Sequence, residues 1–214
     1  MELINILTRT SNRPKGFAKC RNSIESQTYL SLNHLVSYDR KKDLKYLNKY
    51  DCLYIKVRPP IFKNRLARKK PEDYKPYNLY CNKLLENVKE GWVMFLDDDD
   101  MLAHNEVLKQ LATYIPKFDE DTLFIWQAQF PDGTLIPPDY TFKDQIIKLQ
   151  HIDTACFIFH SKYKDVARWD AYWAADFRFI KQLSEIIPKQ VWIPSVLTKK
   201  NNFGDQGKRN DIED

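Results

Sequence analysis

Short apolar runs alternate with amphipathic, helix-type segments along much of the chain. Apolar runs bounded by polar or proline-bearing segments are typical of buried strands, and a repeat near 3.6 residues is typical of helices. The predicted strands cover residues 2–7, 32–38, 53–57, 92–96, 122–130, 154–160 and 191–194. The predicted helices cover residues 15–27, 41–49, 77–89, 106–115, 162–169 and 176–187. This order predicts an α/β fold with a mostly parallel central sheet and helices on both faces.

The domain organisation follows from what separates these segments. The 214 residues contain no proline-, glycine- or serine-rich linker and no internal repeat, so we predict a single domain over residues 1–214. Residues 61–76 are basic and proline-bearing, which predicts a long mobile loop. The polar residues 199–214 predict a mobile tail.

Composition narrows the class of protein. Hydrophobic residues make up 43% of the chain, yet no apolar run reaches the roughly 20 residues of a membrane span, and the N-terminus lacks a secretory signal. The four cysteines form no C-x-x-C pair, which favours buried, reduced thiols and a cytoplasmic location. The net charge of +5 suits an anionic partner, but no nucleic-acid module accompanies it, so we expect no nucleic-acid partner.

Four consecutive aspartates, Asp97 to Asp100, follow the most apolar predicted strand. Ligands of open α/β sheets bind beyond the carboxyl ends of the strands, and adjacent carboxylates favour Mg²⁺ or Mn²⁺. In an extended segment Asp97 and Asp99 would face one ligand, with Asp98 and Asp100 opposite. An alternative is an acidic turn in which Asp100 caps the next helix. A calcium loop is disfavoured because the glycine at position six and the late glutamate are missing.

The segment GWVMFLDDDD, residues 91–100, resembles the D-x-D segment of GT-A fold glycosyltransferases in the broad family-2-like group. Thr8, Arg9 and Thr10, after the first strand, are similar to the family's first nucleotide-binding loop. Asp39, at the end of the second strand, matches the acidic residue that contacts the uracil ring.

The resemblance extends to the helix that precedes the aspartates. Asn78 and Asn82 lie in a segment similar to the family's sugar-contacting ARN-x-G motif, although the alanine, arginine and glycine of that motif are absent here. The family resemblance covers residues 1–110 and, more weakly, 150–190. In general texture the chain also resembles small stand-alone enzymes of large DNA viruses, which would place it in a host cytoplasm.

This resemblance implies a donor site for a UDP-sugar with Mn²⁺ or Mg²⁺, formed by about residues 1–100. Asp99 would be the direct metal ligand, and Asp97 would bind the ribose or a metal-bound water as a second metal contact. Asp98 would belong to the nucleotide site. Positive side chains would share the diphosphate charge. The candidates are Arg9, Arg65, Arg68, Lys199 and Lys200.

The acceptor half, about residues 101–198, carries the candidate base of an inverting transfer to a glycan hydroxyl. The segment WAADFRFI, residues 173–180, resembles the family's late acidic motif, which makes Asp176 the base. The alternative for Asp176 is a favourable charge in the first turn of a helix. Asp153 is the second candidate, as a base or a ligand of sugar hydroxyls. The aromatic side chains of Trp169, Tyr172 and Trp173 either stack on an acceptor sugar or pack in the core.

Two other classes of protein remain open at this stage. A sugar nucleotidyltransferase or phosphohydrolase would also use metal and phosphate, but residues 8–15 hold no glycine for a phosphate loop. A carbohydrate-binding module with aromatic residues and calcium would need no nucleotide site. Metal-dependent binding of UDP separates that module from an enzyme.

Overall fold

The computed structural model describes residues 1–58 and 73–200. Arg65, Arg68, most of the predicted loop 61–76 and the tail after Lys200 lie outside the described residues. The described strands are β1 (Ile4–Thr10), β2 (Leu32–Tyr38), β3 (Leu53–Lys56), β4 (Trp92–Phe95), β5 (Asp100–Leu102), β6 (Thr122–Gln129), β7 (Leu135–Ile136), β8 (Phe157–His160) and β9 (Lys189–Lys200). The described α-helices are α1 (Pro14–Glu25), α2 (Leu44–Leu47), α3 (Leu79–Glu86), α4 (Val107–Tyr114), α5 (Asp139–Lys143) and α6 (Ala175–Ile186).

One sheet organises these elements in the order β3-β2-β1-β4-β8-β6-β9-β5, with β7 beside β6. Strands β3, β2, β1 and β4 are parallel to their neighbours, and β9 is parallel to β6. Strand β8 runs antiparallel between β4 and β6, and the short β5 runs antiparallel on β9. Most paired residues belong to the parallel ladders, so the predicted mostly parallel α/β sheet is confirmed.

Helices cover both faces of the sheet, and the side chains of each strand alternate between the two faces. In β4, Val93 and Phe95 enter a core with α3 and α6, whereas Trp92 and Met94 enter a second core with α1 and α4. All four side chains are at most 1% exposed. A strand buried on both faces is continuously apolar, which is the pattern that β4 shows in the sequence.

Gly91 allows β4 to begin directly beside β1. Its φ is +85°, and a Cβ at this position would lie 2.4 Å from the carbonyl oxygen of Leu3. The amide of Trp92 donates to that same carbonyl at 2.8 Å. Glycine therefore fits both the backbone conformation and the close approach of the two strands. The start of β4 fixes where its carboxyl end, and hence the aspartate cluster, lies.

The second half of the chain departs from the predicted elements. Residues 100–102 form β5, and β9 is a long strand with a bulge around Pro194, which cannot donate a ladder hydrogen bond. Lys199 and Lys200 therefore belong to the sheet and not to the predicted tail. The helix predicted over 162–169 is wrong: only a 3₁₀ turn, Ser161–Tyr163, forms there.

The four cysteines are free thiols, as predicted, and three of them are buried. Burial raises the pKa of Cys20, Cys81 and Cys156, which keeps these thiols protonated. None of the helices that the structure describes is both long and apolar enough to cross a membrane.

Candidate active site

The aspartate cluster lies where the parallel strands β1 and β4 end side by side. The amide of Asp100 donates to the carbonyl of Asp97 at 2.9 Å, so the chain turns at this point. The turn brings oxygens of Asp97, Asp99 and Asp100 within 4.8 Å of one another. An extended segment, as expected from the sequence, would place Asp100 on the opposite side from Asp97 and Asp99. The turn instead brings all three together.

Arg9 is the main partner of Asp97. Its Nε and Nη2 donate to the two carboxylate oxygens at 2.8 and 3.0 Å, and its Nη1 donates to Asn78 Oδ1 at 2.6 Å. The guanidinium also lies 5.0 Å from the ring centre of Tyr77. Burial alone would raise the pKa of Asp97, but the Arg9 charge outweighs it and lowers that pKa. Asp97 is thus an ionised carboxylate whose position is fixed by Arg9.

A second cation that the sequence analysis missed, Arg13, joins Asp98 to Asp99. Its Nη1 lies 3.0 Å from Asp98 Oδ1 and 2.7 Å from Asp99 Oδ2. The Thr10 hydroxyl donates to the other Asp98 oxygen at 2.7 Å. Burial, and next the neighbouring Asp99, raise the pKa of Asp98 to about 7. The only signal for Arg13 was a basic residue one position before α1, in the loop after the first strand.

Asp100 is the most deeply buried of the four aspartates, at 1% exposed. Lys200 Nζ donates to its Oδ2 at 2.6 Å and to Asp153 Oδ1 at 2.7 Å. The other oxygen, Asp100 Oδ1, has no hydrogen-bond partner among the described residues. Lys199, the neighbouring candidate on β9, is exposed, so the structure brings Lys200 rather than Lys199 to the carboxylates.

These residues fit a hard divalent cation. Oxygens of three carboxylates converge, and one buried carboxylate oxygen lacks a partner, which is costly unless a ligand or ion satisfies it. Both oxygens of Asp97 are engaged by Arg9. Asp99 has the most exposed side chain of the four, at 25%, and its contact with Arg13 is through Oδ2. Asp99 and Asp100 therefore have the most free ligand capacity in the cluster.

Asp39 follows directly after β2, which lies between the parallel strands β1 and β3. The Tyr80 hydroxyl donates to its Oδ2 at 3.2 Å. Its Oδ1 is buried and accepts no hydrogen bond from the described residues, and Arg40 Nε lies 3.9 Å away. A buried, under-used carboxylate oxygen at a strand end is available to a ligand donor group.

Three other predicted site residues have partners within the protein. Thr8 is fully buried and donates to the carbonyl of Leu96 at 2.8 Å. Asn78, which accepts from Arg9, donates to the carbonyl of Tyr172 at 2.9 Å. Asn82 binds both backbone groups of Trp169. The structure thus gives these side chains a role in holding the loops of the site.

Asp176 and Asp153 are close enough for their charges to interact, but they lie in different environments. Asp176 is in the first turn of α6, where burial, and next the charge of Asp153, raise its pKa to about 6. Its Oδ1 accepts from the amide of Phe177 at 2.8 Å, and no cation of the described residues lies within ion-pair distance. Asp153 instead contacts Lys200 and the amide of Ala155. A raised pKa without a paired cation suits a proton acceptor better.

The aromatic residues before α6 divide between the two predicted alternatives, packing in the core and exposure to an acceptor sugar. Trp169 is 3% exposed and stacks on Phe179, so it belongs to the core. Tyr172 and Trp173 are 45% and 40% exposed. Their backbone is nevertheless held, because the Tyr172 carbonyl accepts from Asn78 and the Trp173 carbonyl accepts from Arg178. Two exposed rings on a fixed backbone lie within four residues of Asp176.

A cavity of about 740 Å³ lies at the opposite, amino ends of β1, β2 and β3. On its wall, Arg21 bonds to Glu25 at 2.9 Å and to His34 Nδ1 at 3.1 Å. Burial lowers the pKa of His34 to about 3, which keeps it neutral. These satisfied groups contrast with the under-used oxygens of Asp39 and Asp100 at the carboxyl ends.

Solved structures with the same architecture hold nucleotide sugars. S. aureus TarS 1-349 in complex with UDP-GlcNAc has a TM-score of 0.71 at 17% identity, over 97% of this chain and 60% of that one. The mannosyltransferase PcManGT from Pyrobaculum calidifontis, in complex with GDP-Man and Mn²⁺, has a TM-score of 0.63 at 11% identity, over 94% of this chain and 57% of that one. The fold is GT-A. The GT-A fold predicted from the sequence is therefore confirmed.

The chain spans about three fifths of the length of these similar structures. No protein-family model matches the sequence, and no curated protein sequence matches it. At such identities the likeness establishes the GT-A fold alone, and the chemistry has to be argued from the site.

Proposed function

We propose that this chain is a metal-dependent glycosyltransferase that moves a sugar from a UDP-sugar to a hydroxyl of a glycan acceptor, with inversion. The observation that carries the proposal is the convergence of Asp97, Asp99 and Asp100 at the carboxyl edge of a GT-A sheet. The buried, unpartnered oxygen of Asp100 and the raised pKa of Asp176 support it. TarS with UDP-GlcNAc and PcManGT with GDP-Man and Mn²⁺ supply the precedent for such ligands on this fold.

On the donor side, the under-used oxygen of Asp39 accepts the N3–H of the uracil ring. Asp99 and Asp100, next to Asp97, hold Mn²⁺ or Mg²⁺, which when bound supplies Lewis-acid stabilisation of the departing diphosphate. Asp98, fixed by Arg13 and Thr10, keeps the turn in shape around these ligands. The interactions of Thr8, Asn78 and Asn82 hold the surrounding loops. Arg65 remains a candidate for the diphosphate, whereas the exposed Lys199 is given no role in the site.

On the acceptor side, Asp176 takes the proton of the acceptor hydroxyl. The freed oxygen bonds to the anomeric carbon from the face opposite the diphosphate. The bond from that carbon to the β-phosphate oxygen breaks, and UDP leaves with the electron pair. Attack from the opposite face inverts the anomeric configuration. The exposed rings of Tyr172 and Trp173 belong to the loop that leads into α6 and Asp176, and the apolar face of an acceptor sugar would stack on them.

The test is a panel of UDP-sugars with oligosaccharide acceptors, in Mn²⁺ or in chelator, with UDP release and the product's anomeric configuration as readouts. We expect acceptor-dependent release of UDP in Mn²⁺ only, and an inverted linkage. Trp173→Ala should raise the acceptor KM while leaving UDP affinity unchanged. Pyrophosphate release from UTP and a sugar phosphate would instead identify a sugar nucleotidyltransferase. Sugar binding without turnover or UDP affinity would identify a carbohydrate-binding module.

A further inference from the structure

The position of Lys200 is set by the register of two strands. Asp100 on β5 pairs directly with Lys200 on β9 in the antiparallel ladder. Directly opposite residues of such a pair have Cβ atoms about 4.5–5.5 Å apart, so their side chains lie within reach of each other. The sheet itself therefore delivers an ammonium group to the aspartate cluster.

The ammonium is buried between two carboxylates. The Lys200 side chain is 14% exposed and lies 2.6 Å from Asp100 and 2.7 Å from Asp153. Together with Arg9 on Asp97 and Arg13 on Asp98 and Asp99, it gives each of these five carboxylates a cation. Counted as fully ionised, the five carboxylates and three cations carry a net formal charge of minus two, which one divalent ion would balance.

The three cations differ in how firmly they are held. Arg9 binds Asp97 through two parallel hydrogen bonds, and Arg13 bridges two neighbouring carboxylates. An arginine fork of this kind is rigid, whereas a lysine ammonium is a compact charge on a flexible four-carbon stem. Lys200 is thus the cation that can leave most easily, and it covers one oxygen of Asp100, the aspartate whose other oxygen has no partner.

We propose that Lys200 is an exchangeable internal cation that competes with the divalent metal for Asp100. It neutralises Asp100 in the metal-free protein, and it moves off Asp100 when the metal binds the cluster of Asp97, Asp99 and Asp100. Its contact with Asp153 keeps it beside the site after the exchange. The proposal rests on the metal site of the proposed function. It predicts that Lys200 lowers the metal affinity of the protein in the absence of nucleotide.

The test measures Mn²⁺ affinity of the full chain without nucleotide, from the free Mn²⁺ signal in electron paramagnetic resonance. Lys200→Met is compared with wild type and with Lys199→Met, which removes the same charge from the neighbouring exposed position of β9. We expect Lys200→Met to bind Mn²⁺ roughly tenfold more tightly than wild type, as for a typical coupling between two ligands. Lys199→Met should stay close to wild type. Lys200→Gln, which keeps a hydrogen-bond donor, serves if Lys200→Met does not fold.

An affinity of Lys200→Met or Lys200→Gln equal to that of Lys199→Met, or weaker than wild type, overturns the exchange. It would show that Lys200 is a fixed part of the site. In that case Mn²⁺-dependent binding of UDP by the wild type would still stand, so the proposed function survives. If neither the wild type nor any variant binds Mn²⁺, with or without UDP, both the exchange and the metal-dependent function fail.

Discussion

On the proposed donor side of the site, Asp97 to Asp100 each contact a cation supplied by Arg9, Arg13 or Lys200. On the proposed acceptor side, Asp176 has no cation of the described residues within ion-pair distance, and its pKa is raised to about 6. The charge of Arg9 lowers the pKa of Asp97 despite its burial, so this carboxylate stays ionised and fixed, which suits the binding of an ion or nucleotide. A carboxylate buried without compensation holds a proton more readily, which suits proton transfer. The two sides thus suit different roles, ligand binding at Asp97 and proton transfer at Asp176.

The largest expected effect tests the acceptor side. Asp176→Asn removes the proton acceptor but keeps the side-chain shape, so turnover should fall about 10²–10⁴-fold. UDP-sugar affinity should stay nearly unchanged, because the lost interaction is made chiefly in the transition state. Steady-state kinetics and calorimetry on the same preparation measure the two quantities.

Asp153→Asn provides the comparison for that prediction. Asp153 is tied to Lys200 and to the amide of Ala155, so its loss should weaken donor-sugar binding and lower the rate together. If Asp176→Asn keeps most of its activity while Asp153→Asn abolishes turnover with binding intact, the base is Asp153. If neither change matters, neither aspartate is the base, and the anomeric configuration of the product decides between a retaining and an inverting transfer.

The next effect tests the donor side at the nucleobase. Asp39→Asn replaces the charged acceptor, and a hydrogen bond to a charged group is worth about 1.5–3 kcal/mol. UDP affinity measured by calorimetry should therefore fall roughly 10- to 150-fold. Asp51→Asn, which makes the same charge change at an exposed position before β3, should bind UDP like wild type. Unchanged affinity in Asp39→Asn, or tighter binding of GDP than UDP, rejects the assignment.

The smallest effect sharpens the comparison through pH. The base acts when it is ionised, and the pKa of Asp176 is about 6, so turnover should be full above that pH. Below it, the rate should fall about tenfold per pH unit. Asp98 has its pKa raised to about 7 by burial and by Asp99, so UDP affinity is measured over the same pH range. A rate that stays flat while the pH is lowered through 6, with UDP still bound, contradicts the role of Asp176.

The sequence predicted the strands of the first half of the chain well because their signals are local. Strand β2 begins and ends at the predicted residues, and the apolar β4 followed by four aspartates fixes the site at a strand end. In a parallel sheet these ends meet at one edge whatever the details of the helices. The type of fold and the place of the aspartate cluster therefore follow from short segments.

The remaining parts depend on contacts between distant residues, which no local pattern encodes. Strand β5 starts inside the aspartate run and exists because β9 pairs with it about 100 residues later. Residues 162–169 have helical periodicity, but Asn82 binds both backbone groups of Trp169 and holds that segment as a loop. The pairing of Arg13 with Asp98 and Asp99 likewise needs the three-dimensional fold.

The central claim, a metal-dependent nucleotide site on the donor side, is tested most directly by calorimetric titration of UDP in Mn²⁺ and in chelator. The wild type and the exposed control Asp165→Ala should bind UDP at least tenfold more tightly in Mn²⁺, which corresponds to about 1.4 kcal/mol. Asp99→Ala should remain folded and bind UDP with the same affinity in both conditions. Equal UDP affinity with and without Mn²⁺ in the wild type would contradict the account.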